Sequence, residues 1–451
     1  MPYPPGPMSR IAKLAQTRAF FRGPLREMEK MHERHGPAAS LSIFGERVIF
    51  LFDPELVGEV LVDRGGVFVK DNVTHSLSYL LGEGLLTSEV PKWRRQRRLI
   101  APSLSRRHIA SYGDSMVSAA RRYVDTLVEG EVRDVHADMT AVTLEIVTRT
   151  LFGAAFSGAE EIGEKMDVVM HNFELVVRSW RRLVPEWVPL RPRRRIAEAG
   201  AVIDAKVRGI IRERQESGCD GDDLLSRLLA ARDESGEGMD EDQICDEALT
   251  LFVAGHETTA NALTFGLKLI AEHPEVDLKI KQEVDVALGG RPATAADLPQ
   301  LPYTEAVFKE VLRLYPPAYM IGRESTAEVD LRAFTIPKGT TVLISPWVLH
   351  RDRASFDDPM AFAPERWLDG RTEGLSRYAY MPFGGGPRIC VGNHFAMMEG
   401  ILALATFVQH VRLERTSREE LPLQFAVTAR PARPLRMRVA RRAAVADLQT
   451  V

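Results

Sequence analysis

A long helical pattern in the middle of the chain limits the possible folds most strongly. It begins near Asp240, with acidic residues in its first turn, and continues to His273, where Pro274 ends it. At 1.5 Å per residue, this pattern predicts a helix roughly 50 Å long, which is enough to cross a whole domain. Gly255 lies near its middle, where glycine costs up to about 1 kcal/mol relative to alanine, so we expect a specific reason for it.

The remaining patterns predict a mainly α-helical domain with minor β structure. Further helices are expected over 114–129, 139–152, 161–182, 194–217, 222–233, 303–315 and 394–410. Short strands are expected over 38–44 and 48–52 and within 328–345, and the stretch 353–392 is irregular and rich in Pro and Gly. We expect a proline-rich lead over residues 1–29, one domain over 30–435 and a polar tail over 436–451.

The composition argues against several classes of protein. The 451 residues include 59 Lys and Arg and 62 Asp and Glu, so the formal charge is −3 and does not favour nucleic acid as a partner. No apolar stretch approaches about 18 residues, and no signal-peptide core is visible, so we expect no membrane span and a cytoplasmic location. Three cysteines, at 219, 245 and 390, are too few for a disulfide framework.

One of these cysteines, Cys390, lies in an unusual loop. Residues 383–392 read Phe-Gly-Gly-Gly-Pro-Arg-Ile-Cys-Val-Gly, and an apolar helix is predicted to follow. A thiol before a helix N-terminus, with Arg388 nearby, favours the thiolate, and the glycines let backbone N–H groups approach the sulfur. This environment suits a thiolate ligand of a planar iron cofactor, and the alternative is a tight turn around an inert buried cysteine.

The loop resembles the haem-binding motif Phe-x-x-Gly-x-Arg-x-Cys-x-Gly of the cytochrome P-450 family at every defined position. The matching residues are Phe383, Gly386, Arg388, Cys390 and Gly392. The resemblance implies a single-domain cytochrome P-450 fold, in which haem b lies between a long distal helix and a proximal helix, with small sheets at the edge. It also implies that Cys390 is the axial ligand of the haem iron.

A second motif lies in the long predicted helix. Residues 254–259 read Ala-Gly-His-Glu-Thr-Thr and resemble the oxygen-activation motif of the same family. The resemblance implies that Ala254 and Gly255 leave room for dioxygen beside the haem. It also implies that Thr258 hydrogen-bonds the activated oxygen and that Glu257 feeds its proton relay. Without the resemblance, an ordinary Glu–Thr pair explains these two residues at least as well.

Three charged residues are predicted to support the cysteine loop. Glu310 and Arg313 share one face of a predicted helix and resemble the buried Glu-x-x-Arg of the family. The segment 364–367, Pro-Glu-Arg-Trp, resembles the family segment whose arginine, here Arg366, completes this network, although Trp replaces Phe. The alternative is a surface ion pair worth about 0.3 kcal/mol. We assign all three residues a structural role.

The two haem propionates need cationic donors. Trp93 and Arg97 resemble the Trp-x-x-x-Arg of the helix that crosses the haem edge in this family. Arg323 falls where family members often place another propionate-binding arginine, and Arg388 is a further donor. The alternative for residues 92–98 is a solvated basic helix face.

The resemblance also places a substrate pocket on this chain. The candidate residues are Leu77, Leu80, Leu81, Phe173, Val177, Leu251, Tyr319, Met320, Ile321 and Phe425. They are apolar, so we expect a lipophilic substrate such as a terpenoid, steroid or fatty acid. For each residue, the alternative is an ordinary place in the core.

Together, the motifs predict a monomeric haem-thiolate monooxygenase. It would insert one atom of O2 into a lipophilic small molecule, with electrons from NAD(P)H through a separate ferredoxin and ferredoxin reductase. A basic face would steer that acidic partner. Its candidates are Lys92, Arg94, Arg95, Arg98 and Arg377. Two alternatives stay open: a hydrogen-peroxide-dependent peroxygenase, against which the Glu–Thr pair argues, and a haem sensor without catalytic activity.

Overall fold

The structure is a computed structural model that describes residues 1–442, apart from 8, 154–157, 178, 180, 182–183, 185–187, 189, 219–220, 333 and 426. The helices are Arg10–Arg22 (α1), Pro24–His35 (α2), Pro54–Val62 (α3), Asn72–Ser76 (α4), Ser78–Leu81 (α5), Lys92–Ile100 (α6), Arg106–Ile109 (α7), Gly113–Thr126 (α8), Val135–Phe152 (α9), Ala159–Val177 (α10), Arg191–Glu216 (α11), Leu224–Ala230 (α12), Glu241–Glu272 (α13), Pro274–Leu288 (α14), Pro302–Leu314 (α15), Pro346–Leu349 (α16) and Asn393–His410 (α17). The mainly helical prediction is confirmed.

The strands form small sheets at the edge of the helical body. They are Ala38–Ile43 (β1), Glu46–Leu51 (β2), Phe68–Val69 (β3), Val132–Asp134 (β4), Ile321–Ser325 (β5), Val329–Leu331 (β6), Phe334–Ile336 (β7), Thr340–Ile344 (β8), Val411–Arg415 (β9), Leu423–Phe425 (β10), Ala429–Pro431 (β11) and Arg436–Arg441 (β12). The largest sheet has the order β1-β2-β8-β5-β3, in which β2 and β8 are parallel and the other pairs are antiparallel. Strands from residues 38–69 and from residues 321–344 therefore build one sheet.

Regular structure extends across both predicted domain boundaries. Buried side chains of α1 and α2, including Phe20 and Met28, join a core cluster with Phe50 of β2 and Trp347 of α16. At the other end, β12 pairs with β4 and β9. The division at residues 29 and 435 stays a prediction, and the part of the proposed tail after residue 442 lies outside the described residues.

The predicted long helix is confirmed as α13, which has 32 residues. The Asp240 side chain caps it by accepting a hydrogen bond from the Gln243 backbone N–H. The structure also gives a reason for Gly255: a Cβ at this position would lie 3.0 Å from Val147 of α9. The glycine therefore allows close packing of α9 against α13, and the expected room for dioxygen at this position stays a prediction.

Helix α17 is a second central helix of the protein, after α13. Residues 398–409 are buried on every face, and the helix packs against α8, α13, α14 and α15. Its first residue follows the cysteine loop directly, so the core holds that loop in place. Within the described residues, we find no helix that combines the length and apolar character needed to span a membrane.

Candidate active site

The cysteine loop has a fixed backbone shape. Gly386 adopts φ +65°, and a Cβ there would lie 2.1 Å from the Leu61 carbonyl oxygen, so only glycine fits. The Cys390 N–H donates to the carbonyl oxygen of Phe383 over 2.9 Å, and the Gly392 N–H points at the Cys390 sulfur. Helix α17 begins at Asn393. The loop thus presents one thiol at the N-terminal end of a buried helix.

The thiol is less acidic than the sequence predicted. Cys390 keeps accessible surface, yet the surrounding protein desolvates the sulfur and raises its pKa above the usual value. The Gly392 N–H and the charge of Arg97 oppose this effect only in part. Arg388 was expected to favour the thiolate of Cys390. Its guanidinium instead pairs with Glu89 and donates to the Ser88 carbonyl oxygen over 2.9 Å.

Helix α6 holds the loop from the side. The Arg97 guanidinium of α6 donates to the Ile389 carbonyl oxygen over 2.7 Å, one residue before the cysteine. The Arg388 guanidinium carbon lies 4.6 Å from the ring centre of Trp93, which is buried in the same helix. Trp93 and Arg97 therefore meet Arg388, which lies almost 300 positions later in the sequence, at one edge of the loop.

A cluster of buried charges lies beside this edge. Arg323 and Lys70 are buried near Arg388, and their carboxylate neighbours are Asp71 and Glu89. Burial, followed by repulsion from Arg388, lowers the pKa of Arg323 to about 10. Burial also lowers the pKa of Lys70 far below its usual value, and both arginines add to the effect. The cluster therefore favours an additional anionic group.

These features fit a haem. Among the described residues, no group of three or more His, Cys, Asp or Glu side chains is placed to hold a metal ion. The cysteine loop presents a single thiol, and a haem needs one axial thiolate from the protein; bound iron deprotonates a coordinating thiol despite the raised pKa. Arg97, Arg323 and Arg388 would hold the propionates.

The oxygen-activation motif lies in the middle of α13. The Thr258 hydroxyl donates to the Ala254 carbonyl oxygen over 2.7 Å. The Glu257 carboxylate accepts a hydrogen bond of 2.6 Å from the Thr428 hydroxyl and lies 3.9 Å from the Arg430 guanidinium. His256 points elsewhere, since it is buried and its ring nitrogen lies 3.1 Å from the Phe252 carbonyl oxygen. The roles of Ala254, Glu257 and Thr258 stay predictions.

The structure brings Glu310, Arg313 and Arg366 together in the core. Their side chains are 0%, 0% and 2% exposed. Glu310 accepts two hydrogen bonds from Arg313, at 2.8 and 2.9 Å, and one from Arg366, at 3.0 Å. The Trp367 indole N–H also donates to this carboxylate over 2.9 Å, which explains how Trp substitutes for Phe here. A surface ion pair is therefore excluded for this motif.

A cavity of about 200 Å³ lies between the large sheet, α4, α10 and the β10–β11 strands. Its walls include six of the ten predicted pocket residues: Leu77, Phe173, Val177, Tyr319, Met320 and Phe425. The other four do not line it. Leu80 and Leu81 are buried in the main core, Leu251 packs against that core, and Ile321 packs against a smaller cluster below the sheet. The pocket assignments stay predictions.

Sequence reasoning missed several polar residues around the site. Glu89 pairs with Arg388, and the His350 ring accepts a hydrogen bond of 2.8 Å from the Met381 N–H. Burial lowers the pKa of His350 to about 3, so this ring stays neutral. Thr428 and Arg430 contact Glu257. No short-range pattern marks any of these residues, because each one acts through a partner that is distant in sequence.

Comparisons with known proteins agree with this geometry. Residues 2–437 match the sequence profile of the family described as Cytochrome P450. Cyclooctat-9-en-7-ol 5-monooxygenase from Streptomyces melanosporofaciens is 36% identical over 89% of this chain and 88% of its own length. Pentalenene oxygenase from Streptomyces avermitilis is 33% identical over 94% of both chains. The crystal structure of the cytochrome P450DA heme domain aligns with a TM-score of 0.88 at 26% identity and covers 98% of each chain.

Proposed function

The chain belongs to the cytochrome P450 family and is a haem-dependent monooxygenase, and we propose that it oxidises a cyclic terpenoid. The cavity between the sheet and α10 carries this proposal. Aromatic and aliphatic side chains, among them Phe173, Tyr319 and Phe425, form much of its wall. Such a wall recognises a compact hydrocarbon by shape and apolar contact.

The named activities of the relatives support the same substrate class. The protein called cyclooctatin synthase, also from Streptomyces melanosporofaciens, is 36% identical over 88% of both chains. Together with the two relatives above, it bears the name of a terpenoid product or substrate. The alternatives of a steroid or a fatty acid have no such support from these relatives.

The reaction that we propose consumes one NAD(P)H for each oxygen atom inserted. A C–H bond of the substrate becomes C–OH, the second oxygen atom of O2 leaves as water, and NAD(P)H and one proton supply the two electrons and two protons. The haem supplies the oxygen chemistry when it is bound. The protein holds the haem through Cys390 and the arginine cluster, and Glu257 and Thr258 deliver protons next to the oxygen.

Binding spectra of the ferric holoenzyme test the substrate class. We expect cyclic sesquiterpenes, diterpenes or their alcohols to cause a low- to high-spin shift with a Kd at least tenfold below those of steroids and fatty acids, about 1.4 kcal/mol. Phe425→Ala, which removes part of the cavity wall, should weaken this binding roughly tenfold. Leu278→Ala, at an exposed position on α14 outside the cavity, is the matched control. Tighter binding of a fatty acid, or equal effects of the two variants, would contradict the proposal.

We further propose that the electrons arrive from a small acidic ferredoxin, which docks on the basic surface around α6 and α7. The contacts of the predicted basic residues narrow this surface. Arg95 is held by Asp233 over 2.8 Å, and Arg98 pairs with Glu234 over 3.1 Å. Arg94 and Arg106 are exposed, and Arg106 lies near His394 at the start of α17. These two arginines are therefore better placed to attract the partner.

Charge reversal tests this docking surface. Arg94→Glu and Arg106→Glu should slow reduction of the haem by a ferredoxin and flatten the dependence of its rate on salt, because steering by these charges is lost. Arg194→Glu makes the same charge change on α11, where the side chain is 69% exposed, and should behave as wild type. Stopped-flow reduction at several salt concentrations measures the effect. If all three variants behave alike, the partner docks elsewhere.

A further inference from the structure

The C-terminal strands β10 and β11 form a hairpin that contacts both the cavity and the distal helix. Gln424 is opposite Arg430, and Phe425 is opposite Ala429. Phe425 lines the cavity, and the Ala429 N–H donates to the Pro317 carbonyl oxygen over 2.9 Å. The described part of this hairpin is thus anchored in the protein body rather than free at the surface.

Thr428 connects this hairpin to α13. Its hydroxyl donates to Glu257 over 2.6 Å and accepts from the Asn261 side-chain amide over 3.2 Å. The side-chain amide oxygen of Asn261, Oδ1, lies 3.0 Å from Nε2 of His136 at the start of α9. Thr428 is 5% exposed and Asn261 is fully buried. The single hydroxyl proton of Thr428 is therefore committed to the Glu257 carboxylate.

The hydrogen bonds from His136 through Asn261 and Thr428 orient the Glu257 carboxylate but do not conduct protons to it from the surface. The side-chain amide of Asn261 has no readily exchangeable acidic proton to pass on, so it interrupts any relay from His136 to Glu257. It can only fix the orientation of the Thr428 hydroxyl. The orientation of that hydroxyl in turn fixes one oxygen of Glu257.

Arg430 makes a second contact with the same carboxylate. Its guanidinium lies 3.9 Å from both Glu257 of α13 and Glu174 of α10. The Gln424 side-chain amide donates to Glu174 over 2.6 Å, and Glu174 lines the cavity. The side chains of the two carboxylates and the arginine are 11–19% exposed, so water screens these charges poorly. One arginine therefore links a cavity wall to the predicted proton donor.

We propose that Thr428 and Arg430 are positioning residues for Glu257. They hold its carboxylate against the hairpin in the orientation from which it supplies protons for oxygen activation. This inference rests on the proposed role of Glu257. When the orientation is lost, O2 takes up two electrons and two protons and leaves as hydrogen peroxide, so NAD(P)H is consumed without product.

Product, peroxide and NADPH consumption of the holoenzyme test the proposal, with a surrogate ferredoxin pair and a terpenoid that gives the spin shift. Thr428→Val keeps the side-chain shape but removes the hydroxyl, and Arg430→Gln removes the charge. We expect each variant to lower product per NADPH roughly three- to tenfold, below the 10²–10⁴ that a complete general acid contributes. The conservative variants Thr428→Ser and Arg430→Lys should restore most of the product.

Further measurements separate positioning from a general structural effect. The carbon monoxide spectrum and the substrate Kd of Thr428→Val should equal those of wild type, and Arg433→Gln, an exposed arginine paired with Glu419, is the matched control. If Thr428→Val fails to bind haem, Arg430→Gln compared with Arg433→Gln decides the matter. Glu257→Gln is the reference variant. If it lowers product while Thr428→Val and Arg430→Gln do not, the positioning proposal is overturned and the role of Glu257 stands. If Glu257→Gln also has no effect, both are overturned.

Discussion

Cys390→Ala is expected to abolish the red-shifted Soret band that a thiolate-ligated haem shows when it is reduced and bound to carbon monoxide. The sulfur is held by the Gly386 turn on one side and the start of α17 on the other. Alanine cannot ligate iron, so the haem loses the axial thiolate that gives the band its position. Monooxygenase activity should therefore fall to background. Reduced carbon monoxide difference spectra and product assays measure both effects.

The other cysteines provide matched controls for this experiment. Cys245 is buried in α13, its thiol lies 3.4 Å from Asp204, and burial raises its pKa to about 12, so it is an inert thiol. Cys219 lies outside the described residues. Cys245→Ala and Cys219→Ala should keep the full band. A normal band in Cys390→Ala would remove the haem-thiolate assignment and the proposed reaction with it.

The sequence predicted those parts of the site whose structural requirements all fall within one short segment of the chain. The loop around Cys390 needs glycine for its turn and close backbone contacts, and those requirements leave a local motif. Helix α13 is recognisable from its length, its Asp240 cap and Pro274. The spacing of Glu310 and Arg313 gave the correct pair because one helix holds both residues.

The parts that the sequence missed depend on contacts between distant segments. No pattern near residue 48 indicates that β2 pairs in parallel with β8 at residue 341. Arg388 pairs with Glu89, a partner about 300 positions away, instead of acting on Cys390. Burial of the sulfur raises its pKa, and the nearby charge that lowers it comes from Arg97, which is equally distant in sequence. The hairpin around Thr428 has only ordinary turn and strand residues, so its contact with Glu257 becomes visible only in three dimensions.

Glu310→Gln is expected to destabilise the protein by about 3–5 kcal/mol, the usual cost of removing one partner from a buried ion pair. Glu310 faces two buried guanidinium groups, and Arg313 also donates to the carbonyl oxygens of His350, Pro359 and Ala361. Glutamine cannot neutralise either arginine, and its amide N–H groups would face their N–H donors. Urea unfolding of the holoenzyme, followed by the Soret band and by far-UV circular dichroism, measures the loss.

Glu305→Gln is the matched control, because it makes the same change five residues earlier on α15. Glu305 pairs with Lys309 over 2.7 Å, but its side chain is 40% exposed, so its loss should cost less than about 0.5 kcal/mol. Segments 350–361 and 363–367 are hydrogen-bonded to Arg313 or Glu310. The His350 ring in turn accepts a hydrogen bond from the Met381 N–H, just before the cysteine loop. Glu310→Gln should therefore also release haem at lower urea concentration than it unfolds the helices. Similar free energies of unfolding for the two variants would contradict the structural role of the buried cluster. Loss of haem and of helix at the same urea concentration would show that the cluster does not hold the cysteine loop independently of the rest of the fold.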